Sequence, residues 1–390
     1  MGKNNSIRKY AFITTVEASI KSFMLPYVKE LKALGFEAHL ICNYSDDFFE
    51  SFSEEYLCHK IDLKRGFDLK STLGTIVNLY KYFRSNEIEV VEYGTENAAF
   101  CAAIASKLAG VPIRIYDHWG ARYVGLNGIS RTVSKLIERT AAFFSTNIRQ
   151  VSLENMELCV SDHIYKRDKV KVLGKGGTVG VDMTVFDLKY KESYKKFIRE
   201  KYEIPQDTVL IGYVGRIQSD KGINELLEAF RNIQKTNSNV SLMLVGPIDE
   251  VNPVREELFS WAQRNTQVCF TGRVSEVFKY MSAFDVLVHP TYREGFGMVL
   301  QEAAAMKIPI ITTSIMGPRE FIQDNITGAL VPPCDENSLR EKILELINDK
   351  KLALEYAEAN YKYTKENFER SVMVKRIVRD RLDIIGDYKS

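Results

Sequence analysis

Short apolar runs alternate with segments of helical period along almost the whole chain. Tyr10–Thr15 reads as a buried strand. From Ile20 to Leu34 the residues Phe23, Tyr27, Val28, Leu31 and Leu34 fall on one helical face, and Gly35 follows where a helix end favours glycine. Ala38–Cys42 and Ile88–Tyr93 predict strands, Ala98–Leu108 a helix closed by Gly110, and Ile113–Tyr116 a further strand. This βαβ rhythm predicts a parallel sheet with helices on both faces.

The rhythm breaks and restarts. Thr184–Tyr202 is charged and has no strand character; Ile204-Pro205 then leads into the cleanest unit of the chain. Val209–Val214 is a buried strand, Gly215–Lys221 a polar loop, and Ile223–Lys235 a helix with Ile223, Leu226, Leu227, Phe230 and Ile233 on one face. Ser241–Val245, Val268–Thr271, Asp285–His289, Pro309–Thr312 and Ala329–Val331 predict strands; Asn337–Asp349, Leu352–Asn367 and Val372–Ile385 predict amphipathic helices. The expectation is α/β: two doubly wound, Rossmann-like domains in tandem, residues 1–185 and 186–369, with the helix of 370–390 placed to pack back on the first. Ligands in such sheets bind beyond the carboxyl ends of the strands, so the loops that follow strands are where chemistry is sought.

Composition narrows the function classes. A chain of 390 residues, 45% hydrophobic and 27% charged, has apolar side chains for two cores. Its net charge of +2 excludes a disordered tail protein and argues against a nucleic-acid binder. Apolar stretches such as Ala98–Ala105 fall short of the ~20 residues a spanning helix needs. Met1–Lys9 is polar and lacks a signal-peptide pattern, so a cytoplasmic chain is expected. Cys42, Cys58, Cys101, Cys159, Cys269 and Cys334 are scattered without metal-ligand spacing and read as core residues. Asp46-Asp47 is followed by aromatics and is no Asp-x-Asp signature, and no other metal motif or cofactor signature is visible.

The charge is unevenly spread. Residues 1–180 hold 24 Lys/Arg against 20 Asp/Glu. Within them Ile164–Lys175 carries Lys166, Arg167, Lys169, Lys171 and Lys175 against Asp168 alone, while Arg131, Lys135 and Arg139 interleave with Leu136, Ile137, Phe143 and Phe144. Such a segment suits a solvated face or an anionic membrane surface, the second placing the chain at the inner face of a membrane.

Two loops carry candidate chemistry. The first is Arg293-Glu294-Gly295-Phe296-Gly297-Met298-Val299-Leu300-Gln301-Glu302, between the strand Asp285–His289 and a helix running through Ala305. Glycines at a helix start let the backbone approach a ligand, and N–H groups there favour phosphate. Glu294 before the helix and Glu302 inside it are acceptors for vicinal hydroxyls at two points along a nucleotide sugar. The second is Gly215-Arg216-Ile217-Gln218-Ser219-Asp220-Lys221-Gly222, again between strand and helix. Its two cations can converge on one diphosphate and neutralise charge on a leaving group.

These motifs resemble those of the retaining glycosyltransferases of family 4 (group 1), built on the GT-B fold of two facing Rossmann-like domains. The resemblance covers most of the chain: Gly215-Arg216…Lys221-Gly222, the Glu294-x7-Glu302 pair, Val286–Pro290 before it, and Pro309, Glu320 and Gly328 beyond. Gly174–Asp182, Phe12–Val16 and Phe23–Pro26 are similar to segments of bacterial surface-polysaccharide (capsule or O-antigen) transferases. The resemblance implies a nucleotide-sugar donor, UDP-linked, on the C-terminal domain and a glycan or lipid-linked acceptor on the N-terminal one. It implies that Arg216 and Lys221 bind the diphosphate, with Gly215 behind them, and that Glu302 holds the ribose. Glu294 and the backbone of Gly295, Phe296, Gly297, Met298 and Val299 would hold the sugar, and Val274 in Gly272-Arg273-Val274 would face the base. His118, at the end of the strand in Arg114–Gly120, would hydrogen-bond the donor sugar. No metal is required where Arg216, Lys221 and a helix start meet the phosphate. Two departures stand out: Thr14–Ala18 replaces a Gly-Gly after the first strand, and Lys307 stands where glycine is common. Rival readings are a nucleotide-sugar epimerase, for which no acid/base set is evident, and a non-catalytic nucleotide-sugar-binding scaffold.

Overall fold

A computed structural model describes residues 8–63 and 69–388. They form two compact units: one runs to Val179 and resumes at Ser371, the other is Gly180–Arg370.

The first unit holds a parallel sheet of β1 (Arg8–Val16), β2 (Phe36–Asn43), β3 (Leu57–Lys60), β4 (Val90–Tyr93), β5 (Ile113–His118), β6 (Asn147–Gln150) and β7 (Val170–Val172), ordered β3-β2-β1-β4-β5-β6-β7. Both faces of β1 are covered: Ala11 and Ile13 enter one core with helix Glu96–Ala109, Tyr10 and Phe12 another with Tyr27, Val28 and Leu31. That double burial is why β1 reads as a continuous apolar run. The single helix expected over 20–34 is interrupted. Ile20–Met24 forms a π turn, with the Leu25 N–H on the Ile20 carbonyl, just before Pro26, which has no N–H for an α-helical ladder.

Helix Arg370–Asp387 buries Val374, Ile377, Ile384 and Ile385 in the Tyr10/Phe12 core. Its Arg381 sits in a closed ionic cluster. The guanidinium donates to Glu92 at 2.6 Å, Asp117 at 2.7 Å and Asp380 at 2.7 Å, and Arg149 pairs with both Asp380 oxygens at 2.8 and 2.9 Å. Tyr10 and Tyr27 hydroxyls also donate to Glu92. Removing one partner from such a cluster strands a buried charge, at a cost of about 3–5 kcal/mol.

The second unit repeats the architecture with β8 (Val209–Val214), β9 (Val240–Val245), β10 (Val268–Gly272), β11 (Val286–His289), β12 (Ile310–Thr313) and β13 (Ala329–Val331), ordered β10-β9-β8-β11-β12-β13, all parallel. Helix Ile223–Gln234 buries Ile223, Leu226, Leu227, Phe230 and Ile233, the face its sequence predicts. The charged stretch before it contains helix Lys191–Lys201, whose fully buried Arg199 donates to Asp285 at 2.6 Å and to the Thr208 carbonyl at 2.8 Å. A short parallel bridge, Val181 with Glu369, brings the two ends of the unit together, and Arg370 pairs with Asp182 at 3.0 Å. Strands β3, β6 and β7 and helices Asp46–Phe52, Leu69–Ser85 and Glu256–Arg264 are additions to the sequence reading.

Candidate functional site

In the second sheet the strand order reverses between β8 and β11, the switch point where open α/β sheets form a ligand crevice. Both motif loops leave from there. The first follows β8, passes through a tight turn at Ser219–Lys221 and enters helix Ile223–Gln234; the second follows β11 and enters helix Met298–Ala305.

The loops are tied together by three kinds of contact. Lys221 Nζ donates to Glu294 Oε2 at 2.7 Å and approaches the Arg293 carbonyl at 3.4 Å. Arg293 pairs with Asp220 at 3.0 Å, and the Tyr292 N–H reaches the Asp220 carbonyl at 3.0 Å. Gly222 makes the third contact possible. Its φ is +71°, and a Cβ there would fall 2.0 Å from the Pro290 carbonyl oxygen. Only glycine permits that approach. On the far side of the second loop Gly317, φ +87°, lies against the Gly295 carbonyl in the same way, 2.6 Å from where its Cβ would stand.

Electrostatics differ between the two motif glutamates. Burial alone would raise the Glu294 carboxyl, but Lys221 and His289 beside it hold it well below the usual carboxylate range. Glu302, half-buried on helix Met298–Ala305, has no such neighbour. Burial pushes it up to about 7, with Arg370 offsetting only part. Arg216 extends to Asp249 at 2.8 Å, while its own carbonyl accepts from the Tyr213 hydroxyl at 2.9 Å. Gly215 closes β8, its N–H on the Val245 carbonyl at 2.9 Å.

The remaining expected residues are distributed as follows. Gly295, Gly297, Met298 and Val299 lie in the second loop and the first turn of its helix. Phe296 turns its ring into the core, 5.4 Å from Phe368 and 6.2 Å from Phe321, leaving only its backbone on the loop. Val274 follows the edge strand β10, two strands from β8. His118 belongs to the first unit, at the carboxyl end of β5, and is buried there. The Gln150 amide donates to its Nδ1 at 3.1 Å, Nε2 faces Glu138 at 3.4 Å, and the ring stacks on Tyr116. Next to it, Trp119 and Phe23 (rings 4.7 Å apart) border a cavity of about 40 Å³ reached also by Gln150, Thr178 and Arg381.

Sequence reasoning left His289 and Tyr213 without a role. They stack under the two loops, rings 5.7 Å apart and nearly parallel, and His289 Nε2 lies 3.6 Å from Glu294 Oε2. A polar residue closing an otherwise apolar strand beside a motif was the signal available. Among the described residues, no cluster of three or more His, Cys, Asp or Glu has metal-site geometry, and no helix is long and apolar enough to cross a membrane.

Comparison with known proteins gives concordant findings. Residues 194–363 match the family model of glycosyl transferases group 1, and residues 13–152 that of glycosyl transferase 4-like proteins. The capsular polysaccharide biosynthesis glycosyltransferase CapM of Staphylococcus aureus is 31% identical over 348 residues, 88% of this chain and 89% of that protein. The UDP-Gal:alpha-D-GlcNAc-diphosphoundecaprenol alpha-1,3-galactosyltransferase of Escherichia coli is 24% identical over 81% of each chain. Among solved structures, HepE of Anabaena with UDP and glucose superposes with a TM-score of 0.78 at 16% identity, covering 96% of this chain and 100% of that one. This is the GT-B fold of two Rossmann-like domains.

Proposed function

We propose, from the premise that the chain belongs to the group 1 glycosyl transferases, that it moves a hexose or N-acetylhexosamine from a UDP-sugar to a glycan or lipid-linked acceptor. The setting is cell-surface polysaccharide synthesis. The observation that carries this reading is the Lys221–Glu294 pair, which joins a phosphate-directed cation to a sugar-directed carboxylate across the switch point. The names of the S. aureus and E. coli relatives, and the UDP bound in the Anabaena protein, support the substrate class.

In this reading Arg216 and Lys221 neutralise the donor diphosphate, Glu302 accepts the ribose hydroxyls, and Glu294 with the Gly295–Val299 backbone holds the sugar; Val274 lines the base. The bond from the anomeric carbon to the phosphate oxygen breaks, and the acceptor oxygen bonds to that carbon on the same face. The acceptor proton passes to the departing phosphate, so configuration is retained. Positive charge on the phosphates comes from the two side chains and a helix start, without a divalent ion. A sugar contact by His118 requires its ring to leave Gln150 and Glu138.

A lipid-linked acceptor gives a use to helix Gly128–Phe144. Ile129, Val133, Leu136 and Phe143 are 84, 41, 63 and 72% exposed at spacings of four, three and seven, and Lys169 caps the Phe143 and Ser145 carbonyls beside them. This face is read as seating on an anionic lipid surface. Flotation with phosphatidylglycerol vesicles at low salt, lost in L136E/F143E, tests it; absence of wild-type flotation overturns it.

UDP release from a panel of UDP-sugars with a glycan acceptor tests the activity. R216A and E294A should each lose turnover with the fold intact by circular dichroism. Turnover retained in both removes the assignment, and donor binding without turnover across acceptors favours a scaffold.

A further inference from the structure

Lys221 has two claims on it. In this structure its ammonium satisfies Glu294 at 2.7 Å; in the reading above the same ammonium must meet the donor diphosphate. A diphosphate carrying two negative charges outbids one carboxylate for a lysine. Glu294 is then left without its cation just when it must be ionised and correctly aimed.

One group is placed to take over. His289 ends β11, its backbone locked by pairing with Thr312 in β12 and by the Thr312 hydroxyl on its carbonyl at 2.8 Å. The ring is 2% exposed, held flat against Tyr213, and neither nitrogen has a hydrogen-bond partner. An imidazole with both nitrogens buried and unpaired is costly and calls for a partner. Its Nε2 points at the same Glu294 oxygen that Lys221 holds, 3.6 Å away, a few tenths of an ångström beyond a hydrogen bond. Burial keeps the ring on the neutral side, so it brings an N–H without adding a positive charge that would compete with Lys221 for the phosphates.

The geometry points to His289 as a positioning residue that receives Glu294 from Lys221 on donor binding and holds the carboxylate toward the sugar. It rests on the transferase reading above. The Tyr213–His289 stack then has a double duty: Tyr213 fixes the Arg216 carbonyl of the phosphate loop, and His289 fixes the sugar carboxylate of the other loop.

The test compares wild type with H289F, which keeps an aromatic ring against Tyr213 but has no N–H, and H289Q, which restores a donor. Affinities for UDP and for UDP-glucose or UDP-N-acetylglucosamine are measured by calorimetry, and UDP release by steady-state kinetics. In H289F, UDP affinity should stay within about twofold, the extra affinity contributed by the sugar should vanish, and kcat should fall about tenfold or more, the effect of losing a bond to a charged group. H289Q should recover part of both. Sugar-dependent affinity and kcat within about twofold of wild type in H289F overturn the proposal. So does a loss of UDP affinity and melting temperature shared equally by H289F and H289Q, which would make the residue a packing element. The affinity difference reads the proposal even with no turnover, an outcome that would fall on the transferase reading alone.

Discussion

Glu302 offers the sharpest physical test. Its carboxyl is lifted by burial from an ordinary 4.5 to about 7, and Arg370, itself paired with Asp182 at 3.0 Å, offsets only part of that rise. At about 1.4 kcal/mol for each tenfold in acidity, keeping Glu302 ionised in the folded protein costs up to about 3 kcal/mol. The residue retains some solvent contact, so about 1–2 kcal/mol is the expected measurable share. The sign follows from linkage. The folded state holds this proton more tightly than the unfolded chain, so the contribution is whole below about pH 4.5 and is lost as pH rises through about 7. E302Q mimics the protonated form at every pH. Its melting temperature should barely differ from wild type at pH 5 and exceed it by about 2–8 °C at pH 8, given ~2–4 °C per kcal/mol for a unit of this size. The same substitution should weaken UDP binding about 10–100-fold at pH 8, since a carboxylate holding ribose hydroxyls makes charge-assisted bonds worth about 1.5–3 kcal/mol. Calorimetric scans and UDP titrations at the two pH values read both effects. A stabilisation independent of pH would refute the burial argument, and unchanged UDP affinity would refute the ribose assignment.

Three further outcomes are expected. G222A places a Cβ on the Pro290 carbonyl at a φ of +71° and should destabilise by about 1–3 kcal/mol while abolishing UDP-induced stabilisation, read by thermal shift. R381M strands Glu92 and Asp117 in the first unit and should cost about 3–5 kcal/mol in denaturant unfolding, whereas K351M, which removes an exposed pair with Glu355 3.8 Å away, should cost under about 0.5 kcal/mol. K221M should depress kcat/KM for the donor by about 100-fold or more, with partial recovery in K221R, in a UDP-release assay.

Most of the second unit was legible because its chemistry is packed into contiguous loops. Gly215–Gly222 and Arg293–Glu302 each place cation, carboxylate and glycine within ten positions after an apolar strand, so spacing alone brings them to one end of a sheet. The β-strands that were missed are short and polar. Asn147–Gln150 turns only Ile148 and Gln150 inward, too few positions for a period-two signal to emerge. The ionic cluster under β4 and β5 left no trace for a different reason. Glu92 and Arg381 stand 289 positions apart, and an arginine on an amphipathic helix reads as a solvated face until the helix is seen to pack on its core. His118 shows the converse: a histidine at a strand end has the sequence context of a site residue, yet its nearest partners, Gln150 and Glu138, lie at 3.1 and 3.4 Å inside its own unit.

The two ionic clusters use the same chemistry for opposite ends, and burial decides which. Around the switch point Arg216 pairs with Asp249, Lys221 with Glu294 and Arg293 with Asp220. Arg216 and Arg293 are 48 and 41% exposed, so breaking their pairs costs on the order of 1 kcal/mol or less. In the proposed reading those pairs hold the loops in place and would yield to the donor phosphates. Arg381, 3% exposed between Glu92 and Asp117, cannot exchange partners at that cost, because an unpaired charge there has no water to turn to. Lys221 lies between these extremes at 15% exposure. If Lys221 turns to the donor phosphates as proposed, Glu294 needs another donor, and His289, 3.6 Å away at the end of β11, is placed to supply it.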